Sequence, residues 1–310
     1  MHVNLFPAKR LAAAFIIFFL LSSPVFAENT AHVLVITSSN DTPYQEAVSG
    51  FKEQISAHAK IKFTQLVVTQ AQSSGIKEIE RLKPDLIYAL GMNATQWVSH
   101  ETSSIPIVAT MVLKEEVFKK AANMTGVSLS YPLKTQFQWL KKFFPQKKAV
   151  AILFNPSENT TIVQAASVIS QQQGFNLVAI PVETPKKLPL ALKQLESNVE
   201  IMLSIPDETV MSVNTAKELL LASFGNKVPL IGLSDNWVKS GAFYALSWDY
   251  EDLGRQCATL AQKILAGTPV ALVKPEYPRK VTYTINTKIA EHMNMDIPQD
   301  LLRNAKIIFD

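Results

Sequence analysis

One cysteine stands in the 310 residues, Cys257, so the chain can form no internal disulfide and its stability has to come from a packed core. Nor are there signatures of chemistry: no G-x-S-x-G elbow, no G-x-x-x-x-G-K-[ST], and no G-x-G-x-x-G following a strand. The histidines at 2, 32, 58, 100 and 292 are scattered without an i, i+4 pair or a cysteine partner, which argues against a metal site. Cys257 falls within an apolar helical pattern and reads as a small core residue. These absences exclude the commoner enzyme classes and imply no cofactor.

Charge is also sparse. The formal net charge is +4, too small for an argument from nucleic-acid or membrane-surface binding. Long apolar runs are missing after the amino terminus. There, Lys9 and Arg10 precede "LAAAFIIFFLL" and then "SSPVFA", whose Val25 and Ala27 are the small residues of a cleavage site. The run is shorter than the roughly 20 residues needed to span a bilayer. The expectation is a leader over 1–27, cut before Glu28, and an exported protein of net charge +2, since the leader carries two cations and no anion. No cysteine lies near the cut to take a lipid.

What the sequence does contain is a 47% hydrophobic chain in which strand-like runs alternate with helical patterns, the mark of an α/β fold. "HVLVIT", "KFTQLVV", "PDLIYAL" and "IPIVATMV" are separated by helical stretches, and a second pass follows in "KAVAILF", "NLVAIPV", "VEIMLSI" and "VPLIGLS". The passes echo one another in order at a spacing of roughly 120 residues. This predicts two doubly wound parallel-sheet lobes joined by a hinge: 28–125 and 126–246, with the segments from about 247 to 310 returning to the first lobe.

In open parallel sheets ligands bind beyond the carboxyl ends of the strands. The loops placed there read "TSSNDTPY", "GMNATQW", "ATMVLKEE", "FNPSENTT", "SIPDET" and "LSDNW". Each Ser, Thr, Asn or Asp in them is a natural helix cap. Taken as a set, they also surround a cleft with helix amino termini suited to a small anion such as a carboxylate. Arg81, Arg255, Arg279 and Arg303 all lie elsewhere, so no arginine clamp is available. Acids are present instead, at Asp41, Glu158, Asp207, Glu208 and Asp235, and a ligand amine would pair with one of them. Tyr44, Trp97, Trp237 and Trp248 lie close enough in sequence to offer a flat apolar wall.

The ordered segments "GFKEQI", "KPDLIYALG", "IPIVATMV", "MTGVSLSYPLKTQFQWLKKFFPQKKAVAILFNPSENT", "VPLIGLSD" and "SWDYEDLGRQCATLAQKILAG" resemble bacterial ABC-transporter substrate-binding proteins of type I periplasmic-binding fold, in the group with the tryptophan- and tyrosine-binding proteins. The resemblance implies ligand contacts from Ser38, Ser39, Asn93, Ala94, Thr95, Asn155, Ser157, Asn159, Asp207, Thr209 and Asp235. It implies a free, monomeric periplasmic protein that presents a small ligand, an amino acid or amine-bearing relative, to an ABC permease. A membrane sensor as the receiving partner and a periplasmic α/β enzyme are the alternatives. The chain departs from the group at "ATMVLKEE" and at Pro206–Asp207–Glu208, which points to a cleft tuned to a different ligand.

Overall fold

The computed structural model describes residues 1–2, 30–57, 60–113 and 115–310, so the expected leader and its cleavage point lie outside the described residues, apart from Met1 and His2. No described helix is long and apolar enough to cross a membrane.

The first sheet contains β1 (Ala31–Thr37), β2 (Ile61–Val67), β3 (Leu86–Leu90), β4 (Ile107–Thr110) and β5 (Met124–Val127), all parallel, in the order β2-β1-β3-β4-β5. The second contains β6 (Ala149–Phe154), β7 (Asn176–Pro181), β8 (Ile201–Leu203), β9 (Leu230–Gly232), β10 (Tyr244–Ser247), β11 (Thr282–Asn286) and β12 (Ile307–Phe309), in the order β12-β11-β10-β9-β8-β6-β7. The run β7-β6-β8-β9-β10 repeats the order of the whole first sheet, which is the structural form of the echo between the two passes. Strands apolar along their whole length are buried on both faces. Val33, Leu34, Val35 and Ile36 of β1 and all five residues of β3 are fully enclosed, as a parallel sheet covered by helices requires.

Helix limits follow local chemistry. Thr42–Ser56 opens with proline in its first turn, a position where the missing N–H costs nothing. The stretch "SSGIKEIERL" is not one helix, as its pattern suggests. Gly75, at φ 65° and ψ −171°, takes an extended positive-φ conformation open essentially to glycine and divides it into Val68–Ser74 and Ile76–Leu82.

The segments after residue 247 differ from expectation. Helix Tyr250–Leu265 does pack on the first lobe, against helix Thr42–Ser56. Glu276 also stays there, bridged to Val127 beside β5. Residues 282–309, however, join the second sheet: β11 pairs antiparallel with β10, and β12 extends the same edge. The ladder pairs Tyr244–Ser247 with Thr282–Ile285, whereas beside β5 the returning chain makes the isolated bridge of Glu276 to Val127. The chain therefore passes between the lobes three times, at 128–132, at 248–249 and at 277–281.

The contact between helices Thr42–Ser56 and Tyr250–Leu265 depends on glycine. A Cβ placed on Gly50 would lie 2.0 Å from the Glu251 carbonyl oxygen, and one on Gly254 would lie 2.0 Å from that of Ala47. Only hydrogen fits at either point. Behind this contact Phe51 stacks on Tyr88 with ring centroids 3.9 Å apart, and in the second lobe Phe143 stacks on Tyr244 at the same spacing.

Candidate functional site

The carboxyl ends of both sheets open onto one cleft, and a cavity of about 440 Å³ lies in it, within the size range of small-molecule sites. Met111 and Leu113, just past β4, form its first-lobe wall. Leu203, Ser204 and Pro206 after β8, together with Ile231, Leu233, Ser234 and Trp237 around the end of β9, form the opposite wall. Leu129, Tyr131 and Trp248 come from two of the crossing segments, and Tyr244 and Leu246 from β10. Among the described residues no charged side chain lines the cavity. Burial holds the Tyr244 hydroxyl well above its ordinary pKa, so it is protonated at any working pH.

Two features equip this cavity for recognition. Ser204 is 6% exposed, lines the cavity, and its hydroxyl has no hydrogen-bond partner among the described residues. Met111 holds φ at 59°, an uncommon conformation for a residue with a long side chain, and it sits where the chain leaves β4. The loop it begins is tied to the crossing segment: Leu129 N donates to the Val112 carbonyl at 2.8 Å, and the Ser130 hydroxyl donates to the Leu113 carbonyl.

The crossing segments are tied to each other. Tyr131 Oη donates to the carbonyls of Ser247, at 2.7 Å, and Lys280, at 3.1 Å, joining all three passages. Trp248 Nε1 donates to the Leu129 carbonyl at 2.8 Å, and the Tyr131 and Trp248 rings are stacked within 5° of parallel.

The eleven site residues expected from the sequence fall into three groups, and none of them lines the cavity. In the first lobe, the Ser38 hydroxyl accepts from Ala94 N at 3.0 Å and so caps helix Met92–Glu101. Gly91 precedes that helix at φ 90°, where a Cβ would come within 2.6 Å of Ser38 Oγ and 2.8 Å of Tyr44 Oη. Ser39 Oγ accepts from Asp41 N, Asn93 is exposed, and Ala94 and Thr95 are buried. The Thr95 hydroxyl has no partner among the described residues.

The second group is a single hydrogen-bonded network joining the ends of β6 and β8. Asn155 caps helix Pro156–Gln172 by accepting from Ser157 N and Oγ, and donates through Nδ2 to Thr209 Oγ1 at 2.7 Å. Asp207, 5% exposed, accepts four bonds: from Asn155 N at 2.7 Å, Asn159 Nδ2 at 2.8 Å, Thr209 N at 3.0 Å and Val210 N at 2.8 Å. Its carboxylate is thus already used within the second lobe, which disfavours the pairing with a ligand amine expected of it. Thr209 Oγ1 in turn donates to Glu158 at 3.2 Å.

Asp235 forms the third group. One carboxylate oxygen accepts from Thr284 Oγ1 at 2.7 Å. Tyr250, at the start of the helix that packs on the first lobe, has its pKa raised to about 12, by burial first and then by Asp235, Glu46 and Tyr44. Of the cavity residues, Trp237 and Trp248 were visible in the sequence as aromatics beside strand ends. Pro206 and Met111 lay in the two stretches where the chain departs from the group, Ser204 lay in a quoted loop without being singled out, and Tyr131 carried no local signal at all. No cluster of three or more potential metal ligands occurs among the described residues.

Two α/β lobes of matching strand order, with a ligand-sized cavity between their strand ends and three crossing segments, define a type I periplasmic-binding-protein fold. The family model for ABC transporter substrate binding proteins matches residues 32–308, and the chain belongs to that family. A tyrosine-binding protein of Clostridioides difficile is 26% identical over 197 residues, 61% of this chain and 56% of that protein, so the chain spans little more than half the length of this relative. Among solved structures, the ligand-free, open form of CD0873, a substrate binding protein with adhesive properties from Clostridium difficile, superposes with a TM-score of 0.73 at 20% identity, covering 90% of this chain and 99% of that one. A Streptococcus pneumonia domain in complex with L-Trp gives 0.59 at 18% identity, covering 90% and 100%.

Proposed function

We propose that the protein captures an amino acid with a bulky apolar or aromatic side chain and presents it to an ABC importer, without chemical conversion. The observation that supports this most is the cavity itself, which among the described residues has aromatic and aliphatic walls, one enclosed unpartnered serine hydroxyl, and no charged lining. A zwitterion cannot leave its charges in such a space unpaired. In this reading the side chain enters the cavity and both charges remain at the mouth. The carboxylate meets the start of helix Met92–Glu101 at the exposed Asn93, ahead of the Ala94 and Thr95 amides that already donate to Ser38 and Gly91, where helix geometry leaves amides without intrahelical partners. The ammonium meets Asp235, whose second carboxylate oxygen accepts no bond from the described residues, in preference to the saturated Asp207. Residues 1–27 act as the export leader, the mature chain works as a periplasmic monomer, and the relative known as a tyrosine-binding protein favours an aromatic ligand.

Calorimetric titration with L-tyrosine, L-tryptophan, L-phenylalanine and L-leucine tests the reading. At least one should bind, and its carboxamide should bind at least tenfold more weakly, because a charge-assisted hydrogen bond contributes about 1.5–3 kcal/mol. Asp235→Asn should weaken the same ligand by about one to two orders of magnitude. Absence of heat and of any melting shift across the whole panel would sink the proposal.

A further inference from the structure

The three crossing segments are well supplied with hydrogen bonds, with three exceptions that share a position. Ser128 opens the first crossing, Ser247 immediately precedes the second, and Thr282 immediately follows the third. The side-chain oxygen of each is enclosed, and none has a hydrogen-bond partner among the described residues. The neighbouring groups are satisfied. The Ser247 carbonyl accepts from Tyr131, the Leu129 carbonyl from Trp248 Nε1, and the Trp248 carbonyl from Lys306 Nζ at 2.9 Å. Ser247 and Thr282 even stand directly opposite one another in the antiparallel β10–β11 ladder, where a hydroxyl pair is normally within bonding reach, and yet the bond is not made.

Enclosed hydroxyls without partners are unfavourable and uncommon. Seven such hydroxyls occur among the described residues, and three of them fall one at each point where the chain passes between lobes. Those are also the backbone points that must turn if the lobes rotate against each other. We propose that Ser128, Ser247 and Thr282 form a set of hinge hydroxyls that gain partners when the lobes close, so that part of the free energy of closure comes from the hinge and not from the ligand. The proposal rests on reading this fold as one that closes on a small molecule. It adds a device that sets how often the empty protein closes, and a ligand that binds only the closed form is bound more weakly in proportion to the rarity of that form.

The test uses the full mature chain and no ligand. Asn40 and Asn236 are exposed in strand-end segments of the first and the second lobe, so the rate at which an Asn40→Cys, Asn236→Cys variant forms a disulfide reports how often those segments meet, even when the closed population is small. Cys257 is fully buried and adds no background. Introducing Ser247→Ala into this variant should slow cross-linking about fivefold, the equivalent of one hydrogen bond of about 1 kcal/mol, and Thr282→Val with Ser128→Ala should slow it further. The same substitutions in the protein without introduced cysteines should leave its melting temperature unchanged or raised, since no bond is lost in the form described. Equal cross-linking rates overturn the proposal, as does a lowered melting temperature, which would show these hydroxyls already bonded in the empty protein, for example to buried water. A parent pair that never cross-links removes the closure on which the proposal stands. Because no ligand enters the assay, these outcomes stand apart from a failure of the amino-acid panel to bind.

Discussion

Replacing Asp207 by alanine should damage the second lobe more than it damages ligand recognition. Its carboxylate is the common acceptor for three backbone amides and the Asn159 amide, all between 2.7 and 3.0 Å, in a site 5% exposed. Truncation leaves four donors with nothing to replace the acceptor except water entering the space. An enclosed unsatisfied donor costs about 1–3 kcal/mol, and the four are not additive because some become hydrated, so a total of about 4 kcal/mol is expected. Against an overall stability of roughly 5–15 kcal/mol that is a large loss. It corresponds to a fall of roughly 10 °C in melting temperature for a protein of this size. Asp207→Asn retains one acceptor oxygen and the same shape, and should lose about half as much. Differential scanning calorimetry on the parent and both variants measures the effect, with calorimetric titration of the proposed amino-acid panel alongside. A melting temperature for Asp207→Ala within about 2 °C of the parent, accompanied by a tenfold or greater loss of affinity, would refute the assignment of this carboxylate to the turn.

Gly254→Ala places a methyl group against the backbone of Ala47 and Phe51, so helices Thr42–Ser56 and Tyr250–Leu265 must separate; a loss of about 3 kcal/mol and partial release of the later helix to protease are expected, and an unchanged urea midpoint would contradict the geometry. Cys257 is fully buried and its thiol is pushed up to about 12, chiefly by that burial, so at pH 8 it is neutral as well as inaccessible; thiol reagents should react with it only after unfolding, and prompt stoichiometric labelling of the native protein would show that this part of the first lobe opens.

The parts of the fold legible in the sequence were those written in local periodicity. β1, β3 and β4 and their second-lobe counterparts β6, β8 and β9 announce themselves as short apolar runs, and their matching order predicts the paired lobes. The placement of β11 and β12 was not legible, because nothing within "VTYTIN" or "IIF" says which sheet has a free edge. That depends on which sheet edge lies alongside once both lobes are assembled, and here it is β10 of the second sheet. At the site, a polar residue in a strand-end turn looks the same in sequence whether it caps a helix or faces a ligand. Asn155 and Asp207 show the difficulty: their side chains are turned into a network within one lobe. The cavity walls come instead from Met111, Tyr131 and Leu203, whose apolar character in sequence is indistinguishable from that of core residues.

The three passages between the lobes also govern the order in which the molecule can be made. Helix Tyr250–Leu265 lies against helix Thr42–Ser56, about two hundred positions earlier in the chain, and the second sheet is finished only by β12 at residues Ile307–Phe309. A ribosome delivering this chain from its amino terminus has released almost all of it before either half possesses its full complement of segments. The first half emerges early but waits with one helix face bare until its distant partner arrives. Pairings so remote in sequence are slow to form and leave unfinished surfaces exposed in the meantime. For such a chain, folding is an event of the completed polypeptide, and a truncation near residue 246 would leave two incomplete halves where the sequence order suggests two whole ones.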